Sequence, residues 1–195
     1  MRSEGYVSAH DGLRLFFERI GEGPMAVLFP NGMYLRDAVA AFAATHSLVF
    51  YDVRNRGRSD AVTDPAQRKS AILKDVADLE AVRRHFNFSE VALVGHSYMG
   101  LAVALYAMTY PQQVSRLLQL SPIEPFAGKA YAAHLRWSDG VMAEVFARIA
   151  KLREEQSSLA PEALCEKFWA VLRAIYVFNP ADAEKGELGP LRPSK

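Results

Sequence analysis

Val94-Gly95-His96-Ser97-Tyr98-Met99-Gly100 stands where a short apolar run, Val91 to Val94, gives way to a longer one, Tyr98 to Tyr110, that Pro111 stops. The first run has the length of a buried strand and the second that of a helix apolar nearly all round; proline cannot continue a helix interior. A serine at such a junction sits on a tight turn that lifts its hydroxyl above the sheet edge, while small neighbours let strand and helix approach each other. Ser97 is therefore the candidate nucleophile. The same turn aims the Tyr98 backbone N–H at the place where the oxyanion of a tetrahedral intermediate would form, and the helix N-terminus adds favourable partial charge. The competing reading is an ordinary N-cap serine, and the strand-to-helix context favours the nucleophile. Two places after Ser97, where a small residue is expected, stands Met99, with glycine only at Gly100. Methionine adapts to irregular gaps, so a slightly opened turn over a core Met99 is one reading, and Met99→Gly is expected to be tolerated.

Working outward, the same strand pattern recurs. Met25 to Phe29, Leu48 to Tyr51 and Leu117 to Leu120 are short, apolar and followed by turn-prone or polar residues, which with Val91 to Val94 implies four buried strands of a parallel sheet. Before them, Tyr6 to Ala9 and Leu13 to Ile20 flank His10-Asp11-Gly12, an Asp-Gly turn signal that predicts a hairpin. Ala71 to Phe86 carries Ile72, Val76, Leu79 and Val82 at helical spacing, with Lys74, Asp75, Asp78 and Glu80 expected on other faces. Strand and helix alternating after a hairpin predict a three-layer α/β domain with a mostly parallel sheet and right-handed crossovers.

After Pro125 the pattern changes to two amphipathic helices without strands, Val141 to Arg153 and Pro161 to Val177, and from Asn179 to a tail rich in proline, glycine and charge. The expected organisation is a core over 1–125, a helical segment over 126–178 and a flexible tail over 179–195. Aromatic residues of the helical segment, including Trp137, Phe146, Phe168 and Trp169, are read as packing groups rather than a substrate surface.

Composition narrows the function. A chain of 195 residues that is 50% apolar and 23% charged can bury a core, and 23 Lys plus Arg against 22 Asp plus Glu give no basic field for nucleic acid. A small molecule is the expected partner. Cys165 is the only cysteine, which excludes an internal disulfide and makes it a structural thiol. No apolar run approaches the roughly 18 residues of a membrane helix, and the first residues lack a signal-peptide core. The expectation is a cytoplasmic protein with no membrane span, no cofactor and no metal site.

Two further loops complete a constellation. Phe29-Pro30-Asn31-Gly32-Met33 follows the first apolar strand, so its Met33 backbone N–H can reach the same sheet edge as Ser97 and act as second oxyanion donor. Asp52-Val53-Arg54-Asn55-Arg56-Gly57-Arg58-Ser59 follows the next strand and suits a tight, self-bonded loop whose three arginines are either exposed or an anion site.

With Gly23-Pro24 through Asn31-Gly32, Asp52-x-Arg54 through Gly57-x-Ser59, and Gly95-x-Ser97 in this order, the chain resembles the α/β-hydrolase superfamily over roughly residues 5 to 125. The nearest branch is lipase-esterase-like or proline-iminopeptidase-like. Asn31, Asn55 and Met99 depart from the usual histidine and small residues of that family. The resemblance implies that Ser97 attacks an ester, amide or similar acyl carbon, with a histidine as base and an acid orienting it, in the chain order serine, acid, histidine. It also implies that the helices after Pro125 begin a cap. A serine rather than a carboxylate at position 97 argues against the alkyl-ester mechanism of dehalogenases and epoxide hydrolases. Beyond Ser97 His134 is the one histidine placed to be the base and Glu124, after the last strand, the better candidate for the acid, and both are weak: His134 falls in the cap, and Glu124 has no histidine to orient; Asp139 and Asp182 have even less support as the acid. The expectation is therefore a hydrolase lacking its C-terminal portion, inactive or weakly active alone. The alternatives are a non-catalytic binding module or a site completed by another chain. A sheet that stops early would expose a strand edge prone to self-association.

Overall fold

The computed structural model describes residues 1–64, 71–123, 140–155 and 158–173. They fall into two compact units, one within Met1–Pro125 and one within Phe126–Pro193. In the first, strands β1 (Arg2–Ser8), β2 (Arg14–Ile20), β3 (Met25–Pro30), β4 (His46–Tyr51), β5 (Val91–His96) and β6 (Val114–Leu120) form one sheet in the order β1-β2-β4-β3-β5-β6. β1, β2 and β4 pair antiparallel, whereas β4, β3, β5 and β6 run parallel. The predicted hairpin is present, and its turn places Gly12 at φ 82°, a conformation that costs glycine little.

The continuous apolar runs follow from burial on both faces. Alternate residues of a strand point to opposite sides. Ala26, Leu28, Val49, Tyr51, Val91 and Leu93 join one core with residues of α2 (Ala71–His85) and α3 (Tyr98–Thr109). Val27, Phe29, Leu48, Phe50 and Ala92 form a second core against Met33, Leu35, Val39 and Ala43. These last residues lie on short helical turns between β3 and β4, of which α1 (Arg36–Val39) is one; the apolar pattern alone does not signal them. Two covered faces make the three-layer α/β architecture.

Two expectations fail here. β6 is not a buried strand: Leu117 and Leu118, on opposite faces, are 40% and 53% exposed, because β6 pairs only with β5 and ends the sheet among the described residues. Nor do Asp75, Asp78 and Glu80 lie on outer faces of α2; all three are buried, each with a hydrogen-bond donor in reach. Burying a carboxylate is tolerable only with such partners.

In the second unit, α4 (Gly140–Glu155) and α5 (Pro161–Leu172) pair through Val145, Ile149 and Val171, with Leu152, Phe168 and Leu172 around them. Pro161 opens α5, where its missing N–H costs nothing.

Candidate active site

The sheet order places a crevice where chain direction divides. From β3 the chain passes to β4 on one side, and from β4 it crosses to β5 on the other. The segments after β3 and β5 leave toward opposite faces, one into the turns of the second core and the other into α3. The carboxyl ends of adjacent strands β3 and β5 therefore open a topological switch point, the usual ligand position in open α/β sheets. The Asn31–Met33 loop and Ser97 both stand there.

Ser97 joins β5 to α3 at φ 55°, ψ −123°, and its side chain makes no capping bond to the helix. The N-cap reading therefore fails. That backbone conformation is strained for any residue with a Cβ and persists only where surroundings over-determine it. Ser97 N–H donates to Leu120 O at 3.0 Å, and Ser97 O accepts from Gly100 N–H at 2.9 Å and Ile123 N–H at 3.1 Å. The end of β6 and the turn after it thus clamp the elbow, a contribution that the motif itself does not reveal. Two glycines allow the approach. A Cβ at Gly95 would collide with Met99 O and lie 2.5 Å from Val103 Cγ2, and one at Gly100 would lie 2.8 Å from Pro122 Cβ. Met99 is 4% exposed and belongs to the core between sheet and α3. The expectation that glycine is tolerated there is corrected: the side chain fills the core, so its loss leaves a cavity.

Across the crevice, Asn31 adopts φ 51° and donates its N–H to Tyr51 O at 2.8 Å, while Gly32 N–H reaches back to Phe29 O at 3.2 Å. Asparagine accepts positive φ more readily than most residues. A Cβ at Gly32 would lie 2.7 Å from Phe29 Cβ, so the loop can fold this tightly only with glycine. Met33 opens a helical turn and Tyr98 opens α3. The first backbone N–H groups of a helical segment have no partner within it. Tyr34 Oη lies 2.5 Å from His96 Nδ1, with the two rings edge to face at 5.7 Å.

The Asp52–Ser59 loop is self-bonded as expected. Asp52 Oδ2 accepts from Arg58 N–H at 2.9 Å, and Ser59 Oγ bridges Phe16 N–H and Asp52 O. Gly57 sits at φ 53° against the Asp52 carboxylate, which leaves no room for a Cβ. Of its three arginines, Arg56 and Arg58 are exposed, and only Arg54 is committed to buried carboxylates. Arg54 is buried, bidentate to Asp78 at 2.7 and 2.6 Å, with Asp11 at 2.9 Å. Arg58, though exposed, lies over the Phe16 ring, and Arg56 is a plain surface residue.

Behind the elbow, Tyr98 Oη donates to Asp75 Oδ2 at 3.0 Å. Burial pushes the Asp75 carboxyl above the ordinary carboxylate range and, with the Asp75 charge, pushes the Tyr98 phenol up. Tyr51 Oη is buried without a hydrogen-bond partner among the described residues. A concavity at the β1–β2 turn is walled by Asp11, Asp60 and Val62, among others, but not by Ser97.

Glu124 and His134 lie outside the described residues, as do Asp139 and Trp137. Among the described residues, no histidine hydrogen-bonds Ser97. His96 is engaged by Tyr34, His46 by Thr45 Oγ1 at 2.8 Å, and His85 packs on Phe17 and Phe86. Among the described residues, no group of three or more His, Cys, Asp or Glu is arranged to hold a metal, and no helix is long and apolar enough to cross a membrane.

The chain is 31% identical over 124 residues to epoxide hydrolase 4 of Mus musculus, covering 60% of this chain and 34% of that protein. It is 27% identical over 128 residues to proline iminopeptidase of Heyndrickxia coagulans, covering 63% and 44% respectively. Among solved structures it matches an alpha/beta hydrolase from Novosphingobium aromaticivorans, at TM-score 0.54 and 25% identity, over 60% of this chain and 43% of that one. An esterase from Exiguobacterium antarcticum shares the fold at TM-score 0.59 and 20% identity, over 80% and 58%. The chain thus spans about a third to under half the length of these two curated relatives. The family model for the alpha/beta hydrolase fold matches residues 29–167, from the end of β3 through the elbow and beyond, and in keeping with the sheet order and the strained Ser97 turn, the chain belongs to the alpha/beta hydrolase family.

Proposed function

We propose that this chain is the nucleophile-bearing part of a serine hydrolase that acts on a small ester, amide or similar acyl substrate through an acyl-enzyme at Ser97. The observation that carries the reading is the strained, uncapped Ser97 at the β5–α3 turn. A stabiliser of helix structure would use its hydroxyl as a cap; a nucleophile needs it free. In this reading the Met33 and Tyr98 backbone N–H groups form the oxyanion hole, residues 1–125 are the core, 126–178 the cap segment and 179–195 a tail. Serine in place of a carboxylate separates the reaction from one that proceeds through an alkyl ester, although epoxide hydrolase 4 is among the relatives. The likeness to a proline iminopeptidase and, in fold, to an esterase is compatible with acyl transfer, and neither selects the substrate. A single cysteine fits a cytoplasmic setting.

A second reading rests on the absence, among the described residues, of a histidine bonded to Ser97. In it the chain is a non-catalytic module, or one whose base and acid come from a partner; within the chain itself Glu124 and His134 are only weak candidates for those roles. The exposed β6 leucines support self-association at that edge; a monomer by size-exclusion chromatography would remove that part.

A fluorophosphonate probe with peptide mapping tests the proposal. Weak or no labelling is expected, any labelling being confined to Ser97 and abolished in Ser97→Ala, since an elbow without its base retains only the oxyanion hole and binding. Labelling or turnover that survives Ser97→Ala refutes it, and no labelling with retained ligand binding favours the second reading.

A further inference from the structure

We propose that Tyr34 and His96 form a latch that holds the two halves of the oxyanion hole in register, Tyr34 being a positioning residue that acts through His96. The inference rests on the reading of Ser97 as nucleophile for its purpose, but not for its existence. Tyr34 follows Met33 directly, and His96 precedes Ser97 directly, with Tyr98 just beyond. The bond between Tyr34 Oη and His96 Nδ1, at 2.5 Å, therefore joins the backbone that carries one proposed donor to the backbone that carries the other.

The two sides need such a link to different degrees. The elbow is clamped by Leu120, Gly100 and Ile123 through three backbone hydrogen bonds. The β3 loop leaves the sheet through Asn31 at positive φ and continues as short helical turns with no buried residues of their own. Its position relative to Ser97 is thus the softer coordinate. An oxyanion hole works only when its donors are already aimed at the position where charge develops, because reorganising them during the reaction cancels the gain. A phenol hydroxyl both donates and accepts, so the link forms whichever ring nitrogen of a neutral His96 carries the proton. The edge-to-face ring contact adds a second restraint in the same place.

Amide hydrogen exchange of residues 31–36 in the full chain tests the latch without requiring catalysis. Tyr34→Phe keeps the ring and removes the hydroxyl; His96→Phe keeps a ring and removes the nitrogen. Each is expected to accelerate exchange of the loop about fivefold, the loss of one ordinary hydrogen bond. Exchange of Val49 to Tyr51 in the sheet should be unchanged, which excludes global loosening. Tyr34 has contacts besides His96, so the double variant is decisive: it should exchange no faster than either single variant. Wild-type exchange in Tyr34→Phe, or additive effects in the double variant, overturns the latch. Fluorophosphonate labelling reads the other half: where Ser97 is labelled, Tyr34→Phe should slow it about fivefold with the loop effect. If Ser97 is never labelled but the exchange pattern holds, the latch stands and the second reading of the function is favoured; labelling slowed without loop loosening overturns the latch.

Discussion

Replacing Met99 by glycine separates the family's usual elbow from the one this chain has built. Glycine would supply the small residue expected two places after the nucleophile, and if only the turn mattered the change would be harmless. Met99, however, is 4% exposed and packs in the core between the sheet and α3. Deleting a buried methionine side chain to alanine costs about 2–5 kcal/mol through lost burial and a residual cavity. Glycine rather than alanine within a helix adds up to about 1 kcal/mol. The expected loss is therefore about 2–6 kcal/mol, a large share of the 5–15 kcal/mol that typically holds a domain together. Urea unfolding followed by circular dichroism measures it, with Met99→Leu as the volume-conserving control expected to lose under about 1.5 kcal/mol. A Met99→Gly loss below about 1 kcal/mol with an unchanged urea slope would refute the packing argument and return Met99 to an opened, unfilled turn.

Ser97→Gly should relieve the backbone strain at φ 55° and, after the entropy cost of glycine, stabilise the fold by about 1 kcal/mol; equal or lower stability in urea contradicts the strain. Arg54→Met leaves Asp78 buried and unpaired, and a loss of about 3–5 kcal/mol is expected in the same assay, whereas a loss under 1 kcal/mol would show that the bidentate pair is dispensable. Acid stability should depend on Glu80, whose carboxyl is held down at about 2 by Arg83, with Tyr106 and Arg84 assisting. Its folded value lies below its unfolded one, so its contribution is complete above about pH 4.3 and is lost as pH falls toward 2. Unfolding midpoints between pH 5 and 2 should fall more steeply for the natural chain than for Glu80→Gln, and parallel profiles would contradict this.

Much of the α/β core could be read from local pattern. Short apolar runs at Met25–Phe29, Leu48–Tyr51 and Val91–Val94 mark strands covered on both faces, and the helical period over 71–85 marks α2. Hydrophobic period fails where burial depends on distant neighbours. Leu117 and Leu118 look like Leu48 and Val49 in sequence, yet they are exposed because no described strand lies beyond β6. Asp75, Asp78 and Glu80 read as solvent residues until Tyr98, Arg54 and Arg83 are brought within hydrogen-bond reach from other parts of the chain or from the adjacent helical turn.

The same division runs through the site. By itself the sequence determined that Ser97 stands between a strand and a helix, that glycines at 95 and 100 flank it, and that Asn31-Gly32 and Gly57 allow tight loops, because turn chemistry is local and depends on which residues tolerate unusual φ or lack a Cβ. Only the tertiary structure decided that β6 and Ile123 clamp the elbow, that Met99 faces the core, that Arg54 serves Asp78 rather than an anion, and that Tyr34 meets His96, 62 residues away. Each of these is a contact between segments distant in the chain, and its partner is set by strand order, which no local pattern encodes.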